Sequence, residues 1–398
     1  MSSALRGAAL RWVIAYTLAV LGDVAYFVVL TWVAAEAGGP AWSGTILAVG
    51  AVPRLLLLLL GGVLADRADP RRIALWTDAV RAATLVAAAA MAAASGIAPW
   101  WLMIVAAVFG AADACFIPAV GAMPVRLVPR DRLVSLQAWR ITGLRIANTL
   151  GPAVGAALIL LGPAPAFVAI AALFALSVVL LRSLRPRAGV DIPRAAPEEA
   201  PGAARHRRLR GTGLMPLIVG TALSELPFSG PVAAGVVLLA RERGWNAASA
   251  GAILVTFSAV ALGTSALLAF VPVRLLGRGA ALGALTATAL LLLALGAAPA
   301  VALAMACGGS LGLTTGITMI VCQGQLQRAA PPELLGRITA VLSVLTLGLG
   351  PIAYAATGLI ADAAGMSMFF AIAGAFVAAA GVLIAFCRFR APDMAIRT

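Results

Sequence analysis

The chain contains no lysine; all 29 of its Lys+Arg residues are arginine. A Walker-type phosphate loop requires a lysine, so the chain is not by itself an ATP-driven pump. Soft ligands are equally scarce, with one histidine, His206, and four cysteines, Cys115, Cys307, Cys322 and Cys387. The cysteines stand singly in apolar stretches without C-x-x-C spacing, so they read as core thiols and offer no framework for a metal centre, a disulfide set or any cofactor. Charge is sparse as well. Only 11% of the 398 residues are charged and 62% are hydrophobic, against roughly 25% and 45–50% in a soluble domain. No water-soluble core hides that much apolar surface.

The apolar residues come in runs of about 20, the length that crosses about 30 Å of hydrocarbon at about 1.5 Å per residue. Twelve spans are expected, at 12–34, 43–65, 73–95, 100–123, 135–161, 164–181, 214–239, 249–271, 280–298, 301–323, 338–361 and 367–387. The first run has an acidic residue in its middle and no small-residue cleavage site behind it, so it reads as a span and not a removable signal. The net charge of +14 would suggest nucleic acid in a soluble chain, but its placement says otherwise. With the N-terminus cytoplasmic, 23 arginines fall in cytoplasmic segments and two, Arg241 and Arg243, on the opposite side. That asymmetry is the positive-inside pattern, so the excess records orientation and implies no nucleic-acid partner. The expectation is a multi-pass protein of the cell membrane, a bacterial inner or plasma membrane, with both termini cytoplasmic.

Between Arg182 and Gly213 the sequence turns polar, with four prolines, Glu198, Glu199 and the cluster Arg205-His206-Arg207-Arg208. This reads as a flexible cytoplasmic linker over 182–213, dividing a six-helix bundle at 1–181 from a second at 214–398. The halves echo one another. Asp23 lies eleven residues after Trp12 in the first span and Glu225 eleven after Leu214 in the seventh. Gly151-Pro152 in the fifth span is matched by Gly350-Pro351 in the eleventh. The expected fold is therefore an all-α membrane protein, twelve transmembrane helices in two pseudosymmetric six-helix bundles around a central cavity, with the substrate site at the midplane.

Ionisable residues inside spans cost at least ~2.5–3.5 kcal/mol each, so they should pair and face a cavity. Counted from the cytoplasmic edge, Asp23 lies roughly 16 Å deep and Arg54 roughly 18 Å, which predicts an Asp23–Arg54 pair. Asp113 and Arg145, each roughly 15 Å deep, form a second expected pair. Glu225 has no arginine at its level, because the position matching Arg54 falls near Val260-Ala261. A buried carboxylate without a partner tends to hold its proton, so Glu225 is the first candidate for proton coupling, with Asp23 and Asp113 as the others. The competing reading is that the pairs only staple helices. Asp23, Tyr26, Phe27 and Leu30 share a helical face, and Phe228 lies three residues beyond Glu225. The expected substrate cavity is thus Asp23, Tyr26, Phe27, Arg54, Glu225 and Phe228. Pro227 and Pro231 should bend the seventh span. Gly151-x-x-x-Gly155, and Gly312 to Gly316 in the tenth span, allow close helix packing.

The stretch Gly62-Val63-Leu64-Ala65-Asp66-Arg67-Ala68-Asp69-Pro70-Arg71-Arg72 resembles the G-x-L-a-D-R-x-G-R-R loop of the major facilitator superfamily. Asp69 replaces its glycine and Pro70 its first basic residue, and Val273-Arg274-Leu275-Leu276-Gly277-Arg278 is a degenerate echo in the second half. Gly151-Pro152-Ala153-Val154-Gly155 resembles the G-P-x-x-G element of the antiporter branch, with Ala138 and Ala147 in place of its upstream glycines. From about Trp12 to Cys387 the chain is most similar to drug:proton antiporters of the macrolide and siderophore exporter kind. The resemblance implies a secondary transporter that exports amphiphilic drugs or secondary metabolites in exchange for protons, by alternating access. It also implies a conformational gate at Gly62, Asp66, Arg67, Arg71 and Arg72, which Asp78 and Arg81 in the first turns of the third span should join. Carboxylate–arginine bonds there can lock one arrangement of the halves and release another, although the same charges would also serve merely to anchor helix ends.

A membrane-embedded enzyme is the main rival from another class, but the chain has no G-x-G-D pattern, no serine–histidine set and no zinc ligands, so it does not read as an enzyme. A receptor, a lipid transporter or scramblase, and an organic-anion importer or uniporter remain as alternatives. For the last, Arg54, Arg140 and Arg145 would hold the anion if no acid neutralises them. The expected partners are a small amphiphile, protons and membrane lipid, acting on a monomer.

Overall fold

A computed structural model describes residues 3–67, 69–129, 132–184, 215–268, 277–329, 338, 341, 342, 345 and 348–386, with side chains for all of these except 3–6, 58–67, 229, 327 and 329. All regular structure among them is helical, as hydrocarbon demands of chains that must satisfy every backbone N–H and C=O internally. The helices are α1 (Ser3–Arg67), α2 (Pro70–Ser95), α3 (Pro99–Ala122), α4 (Pro124–Leu127), α5 (Leu133–Ile159), α6 (Pro163–Arg182), α7 (Met215–Glu225), α8 (Pro231–Glu242), α9 (Ala247–Leu268), α10 (Arg278–Gly296), α11 (Val301–Ala329) and α12 (Gly350–Ala385). Proline at the first helical position opens α2, α3 and α6, where its missing N–H leaves nothing unsatisfied.

Among the described residues, nine helical stretches are long and apolar enough to cross a membrane. One of them, in α1, runs 51 residues, more than twice the roughly 20 needed for one crossing. It is broken where Gly39 takes φ +83° just before Pro40, a conformation that L side chains avoid. The break separates an arm at 3–37 from one at 40–67. Gly365, at φ +80°, interrupts the 36-residue α12 in the same way. The bend expected at Pro227 and Pro231 is a full interruption: α7 ends at Glu225, a 3₁₀ turn covers Leu226–Ser229, and α8 resumes after Gly230. Trp76, Trp100 and Trp139 project outward, as aromatic side chains do at a membrane–water boundary.

The buried apolar residues fall into two cores. One collects residues from Ala8 to Leu184, joined by Ala234; the other collects residues from Leu217 to Ile384, joined by Val28 and Ala35. The two meet where α1 packs on α12 and α5 on α9. Small residues make both contacts possible. A Cβ on Gly358 would stand 2.6 Å from the Pro40 carbonyl oxygen, and one on Gly251 would stand 3.1 Å from that of Pro152. The bulk of the expected linker, most of the eleventh span before Gly350, the echo at 273–276, the loop at 331–337 and Cys387 lie outside the described residues.

Candidate functional site

A cavity of about 630 Å³ opens between the two cores. Its walls are aromatic, with Tyr26, Phe27, Phe109 and Phe116 from the first half and Phe228 and Tyr354 from the second. Tyr26 stacks on Phe109 at 3.8 Å between ring centroids, and Phe27 meets Tyr354 at 5.9 Å across the halves. The polar groups on its wall include Asp23, Arg54, Asp113 and Arg140. Of the expected cavity residues, Asp23, Tyr26, Phe27, Arg54 and Phe228 line it, and Glu225 does not.

Asp23 does not pair with Arg54. Its Oδ1 accepts from Arg81 Nη1 at 2.6 Å, while Arg81 Nη2 donates to Asp78 Oδ1 at 2.8 Å. The Arg81 Nη1 atom also stands 3.7 Å from Asp113 Oδ1, and Arg54 Nε holds Asp113 Oδ2 at 2.9 Å. Ser177 Oγ donates to the remaining oxygen of Asp78 at 2.6 Å. Arg81 is wholly buried, its guanidinium flanked by Phe116 at 4.2 Å and Phe174 at 4.9 Å. Such a charge is tolerable only because carboxylates and ring faces surround it. Three acids and two guanidinium groups from α1, α2 and α3 thus form one network.

The expected Asp113–Arg145 pair is absent too, since Asp113 is taken by Arg54 and Arg81. Nor do Asp78 and Arg81 lie at the surface with the loop motif. Arg81 comes eleven residues after Pro70, which at the helical rise puts it about 16 Å deep, level with Asp23. Depth alone named the right level; neighbourhood and helix rotation chose the partners.

At the loop, Asp69 caps α2, its Oδ1 accepting from the Arg71 backbone N–H at 3.2 Å and from Arg126 Nη1 at 3.1 Å. The replacement for the motif glycine is therefore a helix N-cap. Arg71 donates to the carbonyls of Leu181, at 3.0 Å, and Arg182, at 2.6 Å, in the last turn of α6, where a cation meets the negative end of a helix. Arg72 is exposed. The side chains of Gly62, Asp66 and Arg67 lie outside those described. Gly151, Pro152 and Gly155 are buried, and the two glycines seat α5 against Val24, Ala25 and Val28 of α1, a packing contact.

A second cavity, of about 590 Å³, adjoins the first at Leu144, Asn148 and Phe228. Glu225 lies on its wall at the break after α7, and Gln323 Nε2 donates to its Oε1 at 3.1 Å. Arg145, from α5, also lines it and makes no ion pair or hydrogen bond among the described residues. Arg140, instead of facing an acid, lies 5.7 Å from the Tyr16 ring.

One feature escaped sequence reasoning. Near the Gly39 break, Arg241 of α8 bonds Glu36 of α1 at 3.0 Å, its guanidinium lies 4.8 Å from the Trp32 ring, and Trp32 Nε1 donates to Glu36 Oε1 at 2.8 Å. This latch joins the two halves. Its only trace in the sequence was that Arg241 and Arg243 defied the arginine asymmetry. Arg243 instead donates to the Gly296 carbonyl at 2.9 Å, within the second half.

Buried charge on the wall of a cavity shared by two helical cores defines a polytopic membrane carrier. The profile described as the Major Facilitator Superfamily matches residues 12–353, and the chain belongs to that family. It is a secondary transporter, not an enzyme, and takes small-molecule substrates. No curated protein matches the sequence. Among solved structures, a bacterial homologue of the iron transporter ferroportin in an inward-facing state aligns at TM-score 0.72 and 16% identity, covering 96% of this chain and 99% of that one. The nucleoside transporter NupG aligns at 0.71 and 14% identity, covering 95% and 98%. A bacterial homologue of the human lysosomal transporter Spinster, inward-facing and occupied, aligns at 0.71 and 14% identity, covering 94% and 95%. At these identities the likeness is one of fold.

Proposed function

We propose that this protein is a proton-coupled exporter of amphiphilic small molecules in the bacterial inner membrane, working by alternating access. It crosses the membrane twelve times as two six-helix bundles, 1–181 and 214–398, joined by a cytoplasmic linker at 182–213, with both termini cytoplasmic and the Glu36–Arg241 latch on the outer side. The separate cores and the broken helices α1 and α12 support that arrangement.

The observation that carries the coupling is Asp23, partly exposed on the wall of the aromatic cavity and held at 2.6 Å by a wholly buried Arg81. With every group ionised, the three acids and two arginines of this network leave one uncompensated negative charge, which is costly in a low-dielectric interior. A single proton makes the network neutral. Asp23 is the acid with the most solvent access among those bonded to Arg81, so it receives the proton and loosens the bond between α1 and α2. Aromatic walls with a few polar groups suit an amphiphile. Asp113 serves as the bridge that lets Arg54 sense the change. The loop residues Gly62, Asp66, Arg67, Arg71 and Arg72 gate the opposite end.

The test is transport in proteoliposomes with a fluorescent amphiphile and an imposed pH gradient. Asp23→Asn should lose gradient-driven accumulation while keeping counterflow exchange of the same dye. Full gradient-driven accumulation in that variant removes the coupling role. A second reading, transport of an organic anion, rests on Arg140 and Arg145, cavity-lining arginines that pair with no acid among the described residues; Arg145→Ala would then abolish uptake of a carboxylate dye.

A further inference from the structure

The second cavity is lined by serine and threonine hydroxyls, which the wall of the first does not carry. Its second-half wall carries seven hydroxyls, Thr221, Ser224, Ser258, Ser265, Thr288, Thr315 and Thr318. All but Ser258 spend their hydrogen on a carbonyl of their own helix, at Leu217, Thr221, Ala261, Ala284, Leu311 and Thr314 in that order, over 2.6–2.9 Å. A hydroxyl has one hydrogen and two lone pairs, so once the hydrogen is committed only acceptors remain for a ligand. Glu225 adds a carboxylate on the same wall. Gln323 satisfies its Oε1 at 3.1 Å, and no cationic group pairs with it among the described residues. The break between α7 and α8 sets this carboxylate at the last residue of α7, where the α-helix gives way to a 3₁₀ turn.

An acceptor-rich wall around one carboxylate calls for a ligand that supplies donors and a positive charge. From this wall, and building on the amphiphilic cargo proposed above, we propose that the second cavity binds a primary ammonium group of the cargo, with Glu225 as its counter-ion. The adjoining aromatic cavity takes the apolar body of the same molecule, because the two cavities share Leu144, Asn148 and Phe228. Arg145 faces the site from the other half and carries the same sign as the ligand, so it opposes binding.

Two probes separate this site from the broader reading of the cargo. The first is n-butylammonium, with n-butanol as the uncharged control, titrated into detergent-purified protein and read by thermal shift. Wild type should be stabilised by the amine and not by the alcohol. Glu225→Gln should weaken the amine effect by about tenfold or more, the size of a lost charge-assisted hydrogen bond. Arg145→Ala should leave or strengthen it. Equal stabilisation by amine and alcohol, an amine effect that survives Glu225→Gln, or one that falls with Arg145→Ala overturns the site. Displacement of the amine by sodium at equal concentration also overturns it, in favour of an inorganic cation. The second probe is dansylcadaverine against its N-acetyl derivative, assayed for transport. If butylammonium binds through Glu225 and neither dansyl compound is carried, the site stands and the amphiphile reading falls. If both dansyl compounds are carried equally by wild type and Glu225→Gln, the amphiphile reading stands and the site falls.

Discussion

The Glu36–Arg241 latch sets how strongly the two halves are held together at the end where α1 and α12 turn back on themselves. Removing it with Arg241→Ala deletes an ion pair at 3.0 Å whose side chains are 29% and 38% exposed and a guanidinium lying 4.8 Å from the Trp32 ring. A partly solvated pair is worth about 0.2–1 kcal/mol and the ring contact about 0.5–1 kcal/mol. The sum, about 1–2 kcal/mol, corresponds to about a five- to thirtyfold change in an equilibrium constant. The variant should therefore raise the population of molecules open at this end by that factor. Spin labels at Ala94 and Ala248, exposed positions on the two halves, would report it as a longer component in the distance distribution, in protein whose native cysteines are replaced by alanine. Glu36→Gln should act in the same direction, and the double variant should open less than the sum of the two singles, because both remove one interaction. An unchanged distribution in Arg241→Ala, or strict additivity in the double variant, would refute the latch.

Arg81→Met leaves the buried Asp78 and Asp113 and the partly exposed Asp23 without their shared cation, and should lower unfolding stability in detergent by about 3–5 kcal/mol; combining it with Asp23→Asn should recover part of that loss, and wild-type stability in the single variant would mean that the network does not hold α1, α2 and α3 together. Gly358→Val inserts side-chain atoms where even a Cβ would stand 2.6 Å from the Pro40 carbonyl, so the two halves should separate at this contact. The same label pair should then read longer distances, and a distribution identical to wild type would show that the glycine contact is not needed.

The charged residues show how much of the site the sequence disclosed. Scarcity of charge made each intramembrane ion conspicuous, and Asp23, Arg54 and Asp113 were all singled out by cost alone. Their partners were not. Arg81 belongs with Asp23 by depth, since Asp23 lies eleven residues into its expected span and Arg81 eleven residues into α2, yet the loop motif upstream drew Arg81 to the surface. Glu225 was expected to lack an arginine, and among the described residues it does; Gln323, from α11, was invisible because an amide leaves no charge pattern to count.

From its sequence alone this chain declared itself helical, membrane-crossing and a carrier, because hydrophobicity, the length of apolar runs, breaks at glycine and proline and a loop motif are all local properties of a string. The rise of a helix even fixed how deep each charge sits. Which charges touch was decided only when the helices took their places, since neighbour choice and rotation about each axis set the partner, and a turn of about 100° per residue moves a side chain from one neighbour to another. So Asp23 met Arg81, Arg54 met Asp113, and Arg241 crossed from one half to the other to close on Glu36.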